Sequence, residues 1–207
     1  VADGRWRMAV DLGQVDPAFI AALLTYEDHR FYTHGGVDPR AVLRAVGQAL
    51  RYGHVVSGGS TLTMQVARLL EDSGTGKAAG KLRQMRVAWA LERRLTKDQI
   101  LTLYLNRVYL GSGAYGVEAA ALRYFGKSCR DLGLAEIAMI AGLAPAPATY
   151  SPLSDFEAAK TRQRYVLGRM AQDKYITKQE ADQAWARPLR IQGKSVSKFS
   201  EHPYLTD

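Results

Sequence analysis

Hydrophobic residues recur along the chain with the spacing of an α-helix, and typical helix caps precede them. Asp16 and Pro17 supply an N-cap and a first-turn proline. The helix that they open is expected to deliver Glu27 at or just beyond its C-terminal end. Its apolar face comprises Phe19, Ile20, Leu23 and Leu24.

Similar signals continue to the C-terminal region. Asp38 and Pro39 open a second helix that Gly53 ends, and Thr96 and Thr177 begin capping boxes. Glycine-rich stretches between these runs indicate loops. Strand signals are weak and confined to residues 6–10 and 189–191. The pattern therefore predicts a mainly α fold in one domain.

Charge is the one feature of the composition that points to a class of partner. The 207 residues carry 28 Lys and Arg against 20 Asp and Glu, a net charge of +8. Such an excess is typical of proteins that meet nucleic acid, lipid headgroups or phosphorylated substrates. The single cysteine, Cys129, excludes an internal disulfide, and no run of eighteen apolar residues predicts a membrane span.

A first cluster of reactive side chains follows the first helix. Glu27, Asp28 and His34 lie close to Phe31 and Tyr32. A carboxylate beside aromatic rings has a raised pKa, as a general acid or base requires. The spacing alone favours a charged helix end with a buried Phe.

Two further clusters suit an anionic ligand. Residues 58–68 join a glycine pair to Ser and Thr at a helix start and then to Arg68, which suits phosphate or is an ordinary N-cap. Residues 77–94 hold six Lys and Arg side chains on a loop and helix. This run suits a diphosphate as well as it suits nucleic acid, or is a solvated helix face. The core contacts expected of that helix are Leu82, Met85, Trp89 and Leu91.

The order and spacing of these clusters resemble glycosyltransferase family 51, the peptidoglycan glycosyltransferases of class A penicillin-binding proteins. Residues 27–36 resemble the family motif Glu-Asp-x-x-Phe-x-x-His-x-Gly, and residues 58–65 resemble Gly-Gly-Ser-Thr-Ile-Thr-Gln-Gln. Residues 97–106 match the fourth motif and residues 135–147 match the fifth. The family resemblance implies a lysozyme-like helical head lobe with a small membrane-facing jaw lobe.

Two departures from the family pattern fall on functional positions. Met64 replaces the first Gln of the second motif. The third motif, usually Arg-Lys-x-x-Glu, reads Gly-Lys-Leu-Arg-Gln at residues 80–84, so Gln84 replaces the family's second carboxylate. Both departures resemble the penicillin-binding protein 1C branch of the family.

The resemblance implies a role for each matching residue. Glu27 is the general base, and Gln84 occupies the second catalytic position. The residues implied to bind the substrate diphosphate are Ser60, Thr61, Gln65, Arg68, Lys81 and Arg83. The supporting residues are Asp28, Phe31, His34, Lys97, Tyr104 and Asn106. No metal ion is expected to be obligatory, although Mg²⁺ or Mn²⁺ at the diphosphate would be compatible with the family.

The implied reaction polymerises lipid II into a growing glycan chain with inversion and release of undecaprenyl diphosphate. Phosphoglycolipid inhibitors of the moenomycin type would bind the same site. The transferase domain is expected at residues 1–191, with its jaw lobe at residues 37–80 touching the membrane, and residues 192–207 are expected to begin a linker to a missing domain. The family resemblance also implies an N-terminal membrane anchor, which is missing from this sequence. That anchor would hold the transferase domain on the periplasmic face of the bacterial inner membrane.

The apolar residues that could face the membrane in the jaw are Val42, Leu43, Val46, Leu50, Val55 and Val56, most of which are expected to pack inward. Three rival functions remain open from sequence. A lysozyme-like hydrolase or lytic transglycosylase shares the architecture, and a scaffold could bind lipid II with little turnover. A nucleic-acid binder has only the net charge in its favour, so no nucleic acid is expected as a partner.

Overall fold

The computed structural model describes residues 6–54, 59–71 and 78–192. Helices dominate these ranges, which confirms the mainly α fold class. They are α1 (Pro17–Glu27), α2 (Pro39–Tyr52), α3 (Leu62–Glu71), α4 (Ala78–Glu92), α5 (Lys97–Arg107), α6 (Val117–Phe125), α7 (Leu134–Ala141), α8 (Phe156–Gln172) and α9 (Lys178–Ala186). Single turns of 3₁₀ helix lie at Leu12–Gln14, Phe31–Thr33 and Cys129–Asp131.

The helices begin and end where the caps of the sequence predict. The Asp16 carboxylate accepts the Ala18 N–H at 2.7 Å before α1, and Asp38 accepts the Arg40 N–H at 3.0 Å before α2. Gly53 ends α2 in the left-handed region, at φ 71°. Capping boxes at Thr96 and Thr177 open α5 and α9. Side-chain oxygens thus satisfy backbone N–H groups that a helix start leaves unpaired.

Two short strands join the N-terminal segment to the middle of the chain. Strand β1 (Trp6–Arg7) pairs in parallel with β2 (Ala114–Tyr115). Asn106 fastens the same segment, because its side chain accepts the Val10 N–H at 2.7 Å and donates to the Val10 carbonyl at 2.8 Å. The strand expected at residues 189–191 is absent: this segment is irregular, and its Leu189 and Ile191 pack on the core without a partner strand.

Buried side chains from α1, α5, α6, α7 and α8 form one core. Helix α1 packs on α7 and α8, whereas α3 packs on α4 and α5. The two groups meet at the C-terminal end of α1. This arrangement places Glu27 between two sets of helices.

The core contacts expected of α4 are partly wrong. Trp89 is 49% exposed and Leu82 is also exposed, whereas Gln84 and Ala88 are buried. Helix α4 packs against α3 through a narrow face of these smaller residues, so the larger side chains on its other faces lie in solvent. Periodicity alone did not identify which face of α4 is buried.

Helix α2 has no buried residue. Leu50 is 82% exposed, Leu43 is 71% exposed and Val46 is also exposed, so the expectation that most of these side chains pack inward is wrong. Contact with the loop at Gly59 is close, since a Cβ there would lie 3.2 Å from the Cα of Val42. Val55 and Val56 lie outside the described residues, and a jaw lobe at residues 37–80 stays a prediction.

Candidate active site

Glu27 is the last residue of α1 and has one bonded and one free carboxylate oxygen. The Gln65 amide donates to Oε2 at 2.7 Å, while Oε1 is buried with no hydrogen-bond partner among the described residues. Burial raises the pKa of Glu27, and the charge of Asp28 raises it further. The hydrogen bond from Gln65 and the charge of Arg68 oppose this shift. A fixed carboxylate with a free oxygen and a raised pKa suits a general base.

The aromatic side chains that follow Glu27 in the sequence pack around Phe31. The buried ring of Phe31 lies edge-on to Tyr32 and His34, with centroids 5.1 and 6.3 Å away. The Lys97 ammonium lies 4.5 Å from the centroid of the Phe31 ring. Desolvation of the carboxylate by burial is the largest cause of the raised pKa of Glu27.

Asp28 fixes the backbone around Glu27. Its carboxylate accepts His34 Nε2–H at 2.9 Å and the Leu62 N–H at 2.8 Å. His34 Nδ1 accepts the Gly36 N–H at 3.2 Å, which assigns the proton to Nε2. These bonds fasten the end of α1 to the loop after it and to the start of α3.

Gly36 and Thr61 bring that loop close to α3 and α4. Gly36 has φ 91°, and a Cβ there would lie 3.0 Å from the carbonyl oxygen of Ala88. Thr61 donates its hydroxyl to the Gly36 carbonyl and accepts the Met64 N–H at 3.1 Å. Thr61 therefore caps α3, which begins one residue later than a Ser60 cap would give.

Lys97 connects the loop to α4 and α5. Its ammonium donates to the His34 carbonyl at 2.6 Å and to Glu92 Oε1 at 2.7 Å. Thr63 donates to the same Glu92 oxygen at 2.7 Å. Lys97 and its partners thus support the segment that follows Glu27.

Tyr104 lies on α5, close enough to Glu27 for the Glu27 charge to act on its phenol. Its hydroxyl is buried, with no hydrogen-bond partner in the described part of the chain. Burial and the Glu27 carboxylate raise the pKa of Tyr104 well above its ordinary value, so the phenol keeps its proton. Asn106, in contrast, bonds to Val10 and the Thr102 carbonyl and does not enter the cleft.

A cationic group lies on the α3 and α4 side of Glu27. The Lys81 ammonium donates to the Ser60 hydroxyl and to Gln84 Oε1, the latter at 3.3 Å. Burial and the nearby charge of Arg68 lower the pKa of Lys81. The charge of Arg68 also acts on Glu27, and Lys81 lies next to Arg68 and to Ser60, which lines the cleft. Gln84 is buried behind them.

Arg83 points elsewhere. It lies mostly exposed on α4 and pairs with Glu71, with Nε to Oε1 at 3.0 Å. It lines a separate surface groove together with Arg86, Trp89 and Arg93. The expected diphosphate ligand Arg83 is therefore not among the residues that the structure brings to Glu27.

Glu27 lines an open cleft of about 810 Å³. The predicted site residues along it are Glu27, Asp28, Ser60, Thr61 and Gln65. Its lining also includes residues that sequence reasoning missed, namely Tyr26, Gln48, Tyr165 and Arg169. His29 of the first motif, Pro145 of the fifth motif and Arg44 of α2 line it as well. Tyr165 and Arg169 lie almost 140 residues beyond Glu27, and only their four-residue spacing on α8 hinted that they share a face.

The chain matches the transglycosylase family over residues 1–171. The chain belongs to this family. It is 42% identical to penicillin-binding protein 1A of Escherichia coli (strain K12) over 201 residues, which cover 97% of the chain and 24% of that protein. It is 47% identical to penicillin-binding protein 1A of Neisseria cinerea over 180 residues, 87% of the chain and 22% of that protein.

The fold is similar to a crystal structure of penicillin-binding protein 1A from Haemophilus influenzae. The TM-score is 0.57 at 30% sequence identity, with 91% of this chain and 18% of that chain covered. The chain thus spans about a quarter or less of the length of these relatives. These relatives belong to the 1A branch, and the closer resemblance to the 1C branch stays a prediction. None of the described helices is long and apolar enough to cross a bilayer.

Proposed function

We propose that this transglycosylase domain polymerises lipid II into peptidoglycan glycan strands. The acceptor 4-hydroxyl attacks the anomeric carbon of a glycan held on a lipid diphosphate, the centre inverts and undecaprenyl diphosphate leaves. The observation that carries this proposal is the Glu27 carboxylate, which has one fixed and one free oxygen, beside the cations of α3 and α4. Nothing in the cleft favours the hydrolase, scaffold or nucleic-acid alternatives.

Glu27 acts as the general base. Gln65 holds Oε2, so Oε1 is the oxygen that accepts the proton of the acceptor hydroxyl. The raised pKa makes Glu27 a stronger proton acceptor than an ordinary glutamate once it is ionised. Tyr104 and Asp28 stay in supporting roles, one as a buried phenol near the base and the other as an anchor.

Lys81 and Arg68 stabilise the leaving diphosphate. Charge accumulates on its bridging oxygen as the bond to the sugar breaks, and cations aligned in advance stabilise that charge. Ser60 and Gln84 hold the Lys81 ammonium in place, and Ser60 also lines the cleft. Arg83 is not needed for this role.

The residues on this side do not fit a divalent metal. Mg²⁺ and Mn²⁺ prefer carboxylate oxygens, whereas Gln84 offers only an amide oxygen that already accepts from Lys81. Within the described ranges, no group of three or more His, Cys, Asp or Glu residues could hold a metal ion. We propose that cationic side chains serve at the diphosphate, and we expect polymerisation to persist in the presence of a chelator.

Helix α2 is proposed as the membrane-contacting surface. Its exposed apolar residues, including Leu43 and Leu50, would enter the lipid interface, while Arg40, Arg44 and Arg51 would meet anionic headgroups. Arg44 also lines the cleft, so this helix would bring the lipid-linked substrate to Glu27. We propose that the membrane is the bacterial inner membrane and that the domain lies on its periplasmic face.

Parallel assays of wild type, Glu27→Gln and Gln84→Glu on lipid II test the proposal. Wild type is expected to form glycan strands, a reaction that a phosphoglycolipid of the moenomycin type inhibits, and Glu27→Gln is expected to lose most of this activity. Release of muropeptides from finished peptidoglycan, with no strands formed from lipid II, would instead identify a hydrolase. Binding of lipid II without turnover would identify a scaffold.

A further inference from the structure

The cleft has a second wall, formed mainly by residues of α8, which lies beyond the family motifs in the sequence. Tyr165 and Arg169 of α8 line it together with Tyr26 and Pro145. Helix α8 packs on α1 and α7, while the helices that carry Lys81 and Arg68 pack on each other. Glu27 is hydrogen-bonded to Gln65 of α3, and its own helix α1 packs on α8, so elements of both groups approach Glu27.

Tyr165 offers a flat apolar surface to this cleft. Its side chain is 48% exposed, and its ring meets Tyr26 edge-on at a centroid distance of 5.7 Å. The contact holds the ring in one orientation and leaves part of its surface in solvent. Aromatic rings with a polar edge suit ligands that combine C–H faces with hydroxyl groups, and sugars have this character.

Arg162 holds the two tyrosines from behind. Its guanidinium carbon lies 4.0 Å from the ring centroid of Tyr26 and 4.9 Å from that of Tyr165. Its Nε and Nη2 are buried without hydrogen-bond partners in the described ranges, so the aromatic rings are its main contacts. Gly142 leaves room for it, since a Cβ there would lie 2.9 Å from Arg162 Cγ. The wall is thus built in advance of binding.

Arg169 adds a positive charge one helical turn beyond Tyr165. Residues four apart on a helix share a face, and both side chains line the cleft. The Arg169 guanidinium has no ion pair or hydrogen bond within the portion of the chain that the structure describes. A ring and a charge on one face fit a saccharide with an anionic substituent.

We infer that Tyr165 and Arg169 form the subsite for the acceptor sugar, an inference that rests on the proposed function. An inverting displacement requires the attacking oxygen to approach opposite the leaving group. With the diphosphate at Lys81 and Arg68, the acceptor must enter from the side of α8. Its 4-oxygen then bonds to the anomeric carbon, the bond from that carbon to the diphosphate oxygen breaks with its electron pair, and the hydroxyl proton passes to Glu27.

Two substrate analogues separate the acceptor from the donor. Lipid II without its 4-hydroxyl serves only as a donor, and lipid II with a methylene group in place of the anomeric oxygen serves only as an acceptor. A mixture of the two gives a single coupling product, so KM can be measured for each. We expect Tyr165→Ala to raise the acceptor KM about tenfold, equivalent to about 1.4 kcal/mol. Tyr165→Phe keeps the ring and is expected to raise the acceptor KM less, and the donor KM is expected to stay unchanged.

Arg169→Gln is expected to raise the acceptor KM by a similar factor. A second acceptor, with its peptide removed, identifies the anion: the effect disappears if Arg169 binds a peptide carboxylate and persists if it binds the diphosphate. Tyr175→Ala and Arg164→Gln are matched controls, because Tyr175 lies beyond the end of α8 and Arg164 contacts the ring of Trp185. Thermal melts of every variant verify folding.

An unchanged acceptor KM in folded Tyr165→Ala would overturn the inference, as would an equal rise in the donor KM. Failure of the proposed function has a different signature. In that case the wild-type protein forms no coupling product from the two analogues, and Glu27→Gln is indistinguishable from it.

Discussion

Glu27 and Asp28 are adjacent carboxylates with opposite surroundings. Asp28 accepts hydrogen bonds from the His34 ring and from the Leu62 backbone, so its charge is balanced by donors from two segments. Glu27 receives a single bond from Gln65 and keeps one buried oxygen free. The first arrangement stabilises the folded chain, and the second keeps a proton acceptor available at a cost in stability.

The largest expected effect is on the rate. Glu27→Gln removes the proton acceptor while preserving the side-chain shape, and we expect polymerisation of lipid II to fall by about 10²- to 10⁴-fold. Initial rates at saturating lipid II measure this loss. Binding of a moenomycin-type inhibitor is expected to remain, because the substitution leaves the proposed phosphate site at Lys81 unchanged. A variant with wild-type turnover would remove Glu27 from the chemistry.

The second expected effect is on stability. Asp28→Ala leaves the Leu62 N–H and the His34 Nε2–H without their buried acceptor, so we expect the free energy of unfolding to fall by about 3 kcal/mol. Urea denaturation measures the change. Asp28→Asn retains one acceptor oxygen and should lose less. If Asp28→Ala kept full stability yet lost its activity, Asp28 would belong with the chemistry and the contrast with Glu27 would fail.

A third prediction concerns the pH profile. The Gln65 hydrogen bond favours the ionised form of Glu27, so Gln65→Leu should raise the pKa of Glu27 further. Because the base must be deprotonated, the acid limb of kcat/KM should move to higher pH. Rates measured across the pH range test this shift. Gln183→Leu, at an exposed position on α9, is the matched control and should leave the limb in place.

The smallest expected effect returns to Glu27 itself. Because folding raises the pKa of this carboxyl, its contribution to stability is complete below the unfolded-state pKa of about 4.3 and is lost as the pH rises through the folded-state value. Glu27→Gln should therefore melt at a higher temperature than wild type at neutral pH. Each kcal/mol gained corresponds to about 2–4 °C in Tm for a chain of this size. The difference should disappear in acid, where wild-type Glu27 is protonated, and a lower Tm at neutral pH would contradict it.

Local signals allowed much of this fold to be predicted. Asp16, Asp38 and Thr96 act on backbone groups within three residues, so their caps can be read directly from the sequence. The position of Glu27 at a helix end followed from the first of these caps. The role of Glu27 as a base did not follow from any cap. The burial of its carboxylate and the free state of Oε1 depend on α3 and α5, and local periodicity cannot position those helices.

Long-range packing explains the predictions that were wrong or absent. Trp89 and Leu82 match a helical apolar pattern, yet α3 contacts the face of α4 that carries Gln84 and Ala88. Arg83 belongs to a basic run, but it forms an ion pair with Glu71 of α3 and does not face the cleft. Tyr165 reaches the cleft only because α8 packs on α1, and neither residue types nor spacing near Glu27 reveal that contact.

Helix α2 also has a consequence for the behaviour of the isolated protein in solution. A row of aliphatic side chains that includes Leu43, Val46 and Leu50 faces the solvent. Contiguous apolar patches of this kind promote association in water. We expect concentrated samples to form soluble oligomers or precipitate, and mild detergent micelles to keep the particles monodisperse by covering the patch.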